Sequence, residues 1–101
     1  MSSGLSVVLV SAPPEAAASL ARALVEDRVA ACVGILPGLR SVYRWQGRIE
    51  EAEEVQLVIK TAQPFDRVCE AVRARHPYEV PEILRLDVAD ADEAYARWMR
   101  T

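Results

Sequence analysis

Residues 30–61 read AACVGILPGLRSVYRWQGRIEEAEEVQLVIKT, and the fold turns on them. Two β-rich runs flank Trp45-Gln46-Gly47-Arg48. Gly47 supplies the positive φ that tight turns need, so the stretch is a hairpin. The first arm, Ala31 to Trp45, carries Cys32, Val33, Ile35, Leu36, Leu39, Val42 and Tyr43. Pro37-Gly38 interrupts it and predicts a bulge or kink. The second arm, Arg48 to Thr61, ends in Val55-Gln56-Leu57-Val58-Ile59, which reads as a buried strand. Arms of about 14 residues reach roughly 45 Å when extended, at about 3.3 Å per residue. A compact chain of this length has a radius of gyration near 13 Å and a diameter of roughly 33 Å. The hairpin therefore overhangs its own domain. Tyr43 and Trp45 stand near its tip beside a run of charge, and an aromatic overhang calls for a second chain. The sequence predicts an oligomer.

On the N-terminal side, Leu5 to Val10 is a continuous apolar run, a strand buried on both faces. Ser11-Ala12-Pro13-Pro14 ends it, and the prolines suit a helix entry. In Glu15 to Arg28, residues Ala17, Leu20, Ala21, Leu24 and Val25 form one apolar stripe. Glu15 and Arg28 sit at the helix ends that the dipole favours. On the C-terminal side, Gln63-Pro64 opens a helix over Phe65 to Arg75, with Phe65, Val68, Cys69 and Val72 on one face. His76 to Glu82 is a loop, because Pro77 and Pro81 forbid regular helix. Ile83 to Val88 alternates and reads as a half-buried strand. Asp90 is placed to cap a last helix, Ala91 to Arg100, with a stripe of Ala91, Ala94, Tyr95, Trp98 and Met99. The fold class is α+β: a ferredoxin-like β-α-β-β-α-β order with a C-terminal helix and a long hairpin between the second and third strands.

The 101 residues predict a single domain over 1–101, large enough for one core without metal or disulfide staples. Fifteen acidic residues outnumber twelve basic ones, a net charge of −3, which argues against nucleic acid as the partner. The apolar run Val7 to Val10 is too short for a signal peptide or a membrane span, so a cytoplasmic protein with no membrane partner is expected. In a reducing compartment Cys32 and Cys69 stay unpaired.

Few residues suggest chemistry. Cys32 is either a small interface or core hydrophobe or a reactive or ligating thiol; Cys69 lies on an apolar stripe and reads as core. His76, the one histidine, stands at a helix end, where it either bonds the last carbonyls or serves as a metal ligand. Glu50, Glu51, Glu53 and Glu54 read as a solvated, aggregation-blocking edge or a weak hard-cation site. Lys60 reads as a strand-end charge or an anion contact. There is no P-loop, Gly-x-Ser-x-Gly or dinucleotide fingerprint. The stiff loop from His76 to Glu82 concentrates a histidine, a tyrosine and two carboxylates, as functional loops do.

Several phrases together carry a likeness. They are Ala30-Ala31-Cys32-Val33, Pro37-Gly38, Ser41-x-Tyr43-x-Trp45-x-Gly47, Glu54 with Lys60-Thr61, His76-Pro77-Tyr78-x-Val80-Pro81-Glu82-Ile83 and Tyr95-x-x-Trp98. With these, nearly the whole chain resembles the CutA divalent-cation tolerance family. The resemblance implies a ferredoxin-like subunit, a PII-like homotrimer built by the long hairpins, and a role in copper or other divalent-metal tolerance without assigned catalysis. It implies a ligand cleft between subunits at Cys32, Tyr43, Trp45, Glu54, Lys60, His76, Tyr78 and Glu82. No cofactor is obligatory; a Cu²⁺ or other divalent cation would be held by His76 and Glu82. Some relatives place cysteine where Val10 stands and a second histidine where Arg75 stands, so copper binding here is expected to be weak. The alternative is a PII-like sensor of a small anion or nucleotide, or an enzyme using Lys60, Glu54 and His76 as an acid–base site.

Overall fold

Strand β1, Ser6–Ala12, is a central strand, hydrogen-bonded on both sides, as its unbroken apolar run predicts. The computed structural model describes residues 3–101; residues 1 and 2 of the expected domain lie outside the described residues. The other elements follow as α1, Pro14–Glu26; β2, Cys32–Trp45; β3, Arg48–Thr61; α2, Phe65–Arg75; β4, Leu84–Asp87; and α3, Glu93–Met99. The sheet order is β2-β3-β1-β4, and every pair is antiparallel. This is the predicted ferredoxin-like order, with both long helices on one face.

Alternation along the strands explains the layering. Val8, Val10 and Ala12 of β1 and Val55, Leu57 and Ile59 of β3 point to one face. There they meet Ala17, Leu20, Ala21 and Leu24 of α1 and Val68 and Val72 of α2, which form the core. The opposite face carries Val7 and Leu9, in register with Leu86 and Leu84 of β4. No helix covers it. Leu84 and Leu86 are therefore exposed, and β4 is an exposed edge in the single chain rather than the predicted half-buried strand. Its other face is used by Arg85, whose guanidinium lies 5.6 Å from the centre of the Phe65 ring.

Helix α1 stops two residues earlier than the charge pattern suggested. Arg28 adopts φ 59°, Val29 N–H reaches back to the Leu24 carbonyl, and Arg28 N–H reaches the Val25 carbonyl. This is a Schellman stop with a non-glycine at the left-handed position. Arg28 is thus the residue that ends the helix, not a last-turn charge, and Val25 is exposed rather than buried. Helix α3 begins later than predicted. Asp92, not Asp90, is its cap, its carboxylate accepting from Tyr95 N–H at 3.1 Å. The shift of register changes the stripe: Ala96 and Met99 are buried with Leu5, while Tyr95 and Trp98 stack on each other in solvent, ring centres 5.4 Å apart.

The hairpin turns on Gln46 and Gly47, both at positive φ, as a two-residue type I′ loop requires. The chain measures 45 × 27 × 24 Å, the elongation that an overhanging hairpin predicts. At Pro37-Gly38 the register slips. Leu36 opposes Gln56 and Leu39 opposes Glu54, so two residues of β2 face Val55 alone. Gly38, at φ +83°, takes the strain of this bulge. One extra residue reverses the alternation of everything beyond it. Cys32, Gly34 and Leu36 share a face with Lys60, Val58 and Gln56; past the bulge the odd residues Ser41, Tyr43 and Trp45 take that same face, beside Glu54.

Candidate functional site

The site begins at the end of α2. Two prolines bar the helix from continuing, and His76 becomes its C-terminal cap. The imidazole is buried, at 8% exposure. Its Nε2 lies 2.7 Å from the Ser11 carbonyl, and its Nδ1 accepts Tyr78 N–H at 3.1 Å. An Nδ1 that accepts leaves the proton on Nε2, so the ring donates to Ser11. Both nitrogens are engaged. His76 is a clamp that pins the loop to the end of β1.

The clamp aims the next aromatic. Tyr78 packs against the imidazole, ring centres 4.8 Å apart, and its hydroxyl donates to Glu54 Oε2 at 2.8 Å. Glu54 lies on β3 past the bulge and is only 5% exposed. Burial pushes the Tyr78 phenol up to about 12, helped by the hydrogen bond and the negative charge of Glu54 and, less, by Tyr43 and Glu15. The phenol stays protonated at neutral pH and remains a donor. Further along the loop, Glu82 Oε1 accepts from Gln56 Nε2 at 3.1 Å. Two side-chain bonds thus tie the loop to β3.

Between loop and arm lies a cavity of about 460 Å³. Tyr43, Trp45 and Ser41 line it from β2, Glu54 from β3, Tyr78, Glu79, Val80 and Glu82 from the loop, and Ser11 from β1. Tyr43 and Trp45 keep 44% and 45% of their surface in solvent. Five of the expected site residues, Tyr43, Trp45, Glu54, Tyr78 and Glu82, therefore meet in one place. His76 supports that place without lining it.

Within one chain, Cys32 and Lys60 do not line it. They face each other across β2 and β3, Lys60 Nζ 3.9 Å from Cys32 Sγ. Lys60 is six residues from Glu54 along β3, roughly 20 Å at about 3.3 Å per residue. Lys60, Glu54 and His76 thus do not form one acid–base group. Val10, one of the positions where relatives place other residues, is in the core. Arg75, the other, turns to Asp27 at 3.4 Å. Among the described residues no group of three His, Cys, Asp or Glu is disposed to hold a metal ion. Cys32 and Cys69 are free.

The expected site residues omitted Ser41, Glu79, Val80 and Ser11. Ser41 was legible as the first of the alternating Ser41-x-Tyr43-x-Trp45 positions, and Glu79 and Val80 as members of the stiff loop. A larger groove, about 770 Å³, lies at the base of the hairpin near Trp98. Two of its arginines are used structurally, Arg67 on Gln63 and the Asp27 carbonyl, and Arg100 on the Ser3 carbonyl.

The same architecture recurs in known proteins. Residues 6–101 match the family described as CutA1 divalent ion tolerance protein. A divalent-cation tolerance protein CutA of Thermus thermophilus is 49% identical over 96 residues, 93% of each chain. The solved CutA of Xylella fastidiosa superposes with a TM-score of 0.92 at 37% identity, over 96% of this chain and 95% of that one. A PII-like protein CutA from Nostoc sp., solved in apo form, gives 0.87 at 32% identity, over 93% and 92%. With fold, hairpin, loop and sequence in agreement, the chain belongs to the CutA1 divalent ion tolerance family.

Proposed function

We propose that this chain is a cytoplasmic, homotrimeric, non-catalytic protein of the divalent-metal response that binds its ligand in the cleft beside Tyr78, where a neighbouring subunit completes the wall. One observation carries the reading. The Tyr78 hydroxyl closes on the buried Glu54 beside two half-exposed aromatics, Tyr43 and Trp45, on an arm that overhangs its own domain. The trimer is supported by the apolar surface a single chain leaves open: Val42 and Ile49 on the arm, Leu84 and Leu86 on the sheet.

Copper is proposed as a weak ligand. A copper ion at His76 must take a ring nitrogen away from Ser11 or from Tyr78. The part of the cleft that this chain supplies holds no lysine, arginine or histidine among its lining residues, so an anion or nucleotide would need its basic contacts from the neighbouring subunit.

The test is sedimentation of the intact chain, followed by equilibrium dialysis against divalent metals and a panel of small organic ions. A trimer with saturable binding that is lost in Glu54→Gln supports the reading. Binding that survives Glu54→Gln and is lost in Lys60→Ala moves the site to the base of the sheet and overturns it.

A further inference from the structure

The cleft has an unusual balance of chemistry. Glu54, Glu79 and Glu82 bring three carboxylates to it, and Tyr43, Trp45 and Tyr78 bring three aromatic rings. Among the described residues of this chain no basic side chain lines it. The arginine nearest in register, Arg48, pairs with Trp45 at the turn and is not among the lining residues. Such a cavity repels anions. It also suits bare metal ions poorly, since a divalent ion needs several donors converging within about 2.0–2.6 Å. Here Glu54 and Glu82 already accept hydrogen bonds from Tyr78 and Gln56, and the walls are rings. A volume of about 460 Å³ fits a small organic molecule. Aromatic faces attract a cation that spreads its charge over carbon, and nearby carboxylates balance that charge.

We propose that the cleft takes a compact organic cation, an alkyl- or quaternary ammonium ion, against Tyr43 and Trp45 with Glu54 and Glu79 as its counter-charges. The inference rests on the reading of this cavity as the ligand cleft and adds the chemical class of the ligand. The bulge at Pro37-Gly38 is part of the recognition, because it turns Tyr43 and Trp45 onto the face of Glu54.

The test uses the full chain carrying Trp98→Phe, which leaves Trp45 as the only tryptophan reporter. Fluorescence and calorimetric titrations compare choline, the neutral alcohol in which carbon replaces its nitrogen, benzoate, and zinc ion alone. Choline is expected to bind saturably, and the neutral isostere about tenfold or more weakly. Glu54→Gln keeps an acceptor for Tyr78 and is expected to weaken choline about tenfold while leaving the isostere unchanged. Glu79→Gln, on the exposed loop, removes charge without touching the core and is expected to act in the same direction. Equal binding of choline and its isostere, or tighter binding of benzoate, overturns the inference. So does absence of choline binding. In that case a zinc response at Trp45 leaves the cleft reading standing with another ligand, whereas silence to every probe removes both.

Discussion

The Tyr78 hydroxyl donates to Glu54 Oε2 across 2.8 Å and so joins the loop after α2 to the middle of β3. The bond holds together two segments 24 residues apart in sequence, and it sets where Tyr78 stands on the cleft wall.

The first expected outcome concerns that phenol. Its value rises from the ordinary 10.0 to about 12. A group whose folded value lies above its unfolded one contributes fully below pH 10. That contribution is lost as the pH rises from 10 through about 12. Alkaline titration followed by phenolate absorbance should show this late step. Tyr78→Phe should remove it, and Glu54→Gln should bring it to lower pH. A late step that persists in Tyr78→Phe would assign it to another residue.

His76→Ala should cost stability and remove most of the weak copper binding, and copper binding that survives it undiminished would refute the placement of the ion at His76. The variant leaves the Ser11 carbonyl and the Tyr78 amide without their partner, about 1–3 kcal/mol for each buried group left unmade. Denaturant unfolding checks the loss, and hydrogen exchange at the Tyr78 amide should quicken. Calorimetry of the unmodified chain at neutral pH should give a Cu²⁺ constant no tighter than roughly micromolar. A nanomolar constant would mean that the ring leaves its clamp readily.

Trp45→Ala should weaken assembly by about 2–4 kcal/mol, in the manner of buried aromatic anchors. Sedimentation equilibrium of the variant against the parent measures it. A trimer of unchanged stability would place Trp45 at the cleft alone.

Asp92→Ala should destabilise by about 0.5–2 kcal/mol, because the cap on Tyr95 N–H is lost at the start of a seven-residue helix. Asp90→Ala should change nothing measurable. Thermal unfolding of the pair tests the assignment, and equal effects would refute it.

Much of the fold was legible because hydrophobic period and turn chemistry agree at each element. The apolar run of β1, the stripes of α1 and α2, and Gly47 in the turn each name one structure. What sequence reasoning missed depends on tertiary context. Asp90 and Asp92 are equally good caps in isolation, and the choice between them is made by Ala96 and Met99 packing against Leu5. Leu84 and Leu86 read as half-buried because alternation does not say whether the second face has a cover. Tyr43, Trp45, Glu54, Tyr78 and Glu82 were legible as a group from the family's phrases. That Cys32 and Lys60 stand apart from them within one chain follows from their paired positions at the base of β2 and β3, which residue types do not reveal. The role of His76 was also out of reach, since the same residue serves as ligand or clamp according to which atoms its two nitrogens meet.

The bulge at Pro37-Gly38 sets a rule for how this arm tolerates changes of length. A strand side chain returns to its face every second residue. Insertion of two residues between Leu39 and the turn, matched on β3, lengthens the arm and keeps its chemistry. Loss or gain of one residue at the bulge exchanges inside for outside along everything beyond it. Tyr43 and Trp45 would then face away from Glu54, and Val42 and Arg44 would take their places. Drift in arm length is thus quantised in pairs, and the Pro37-Gly38 bulge is a built-in one-residue step that already sets the facing of the whole distal half.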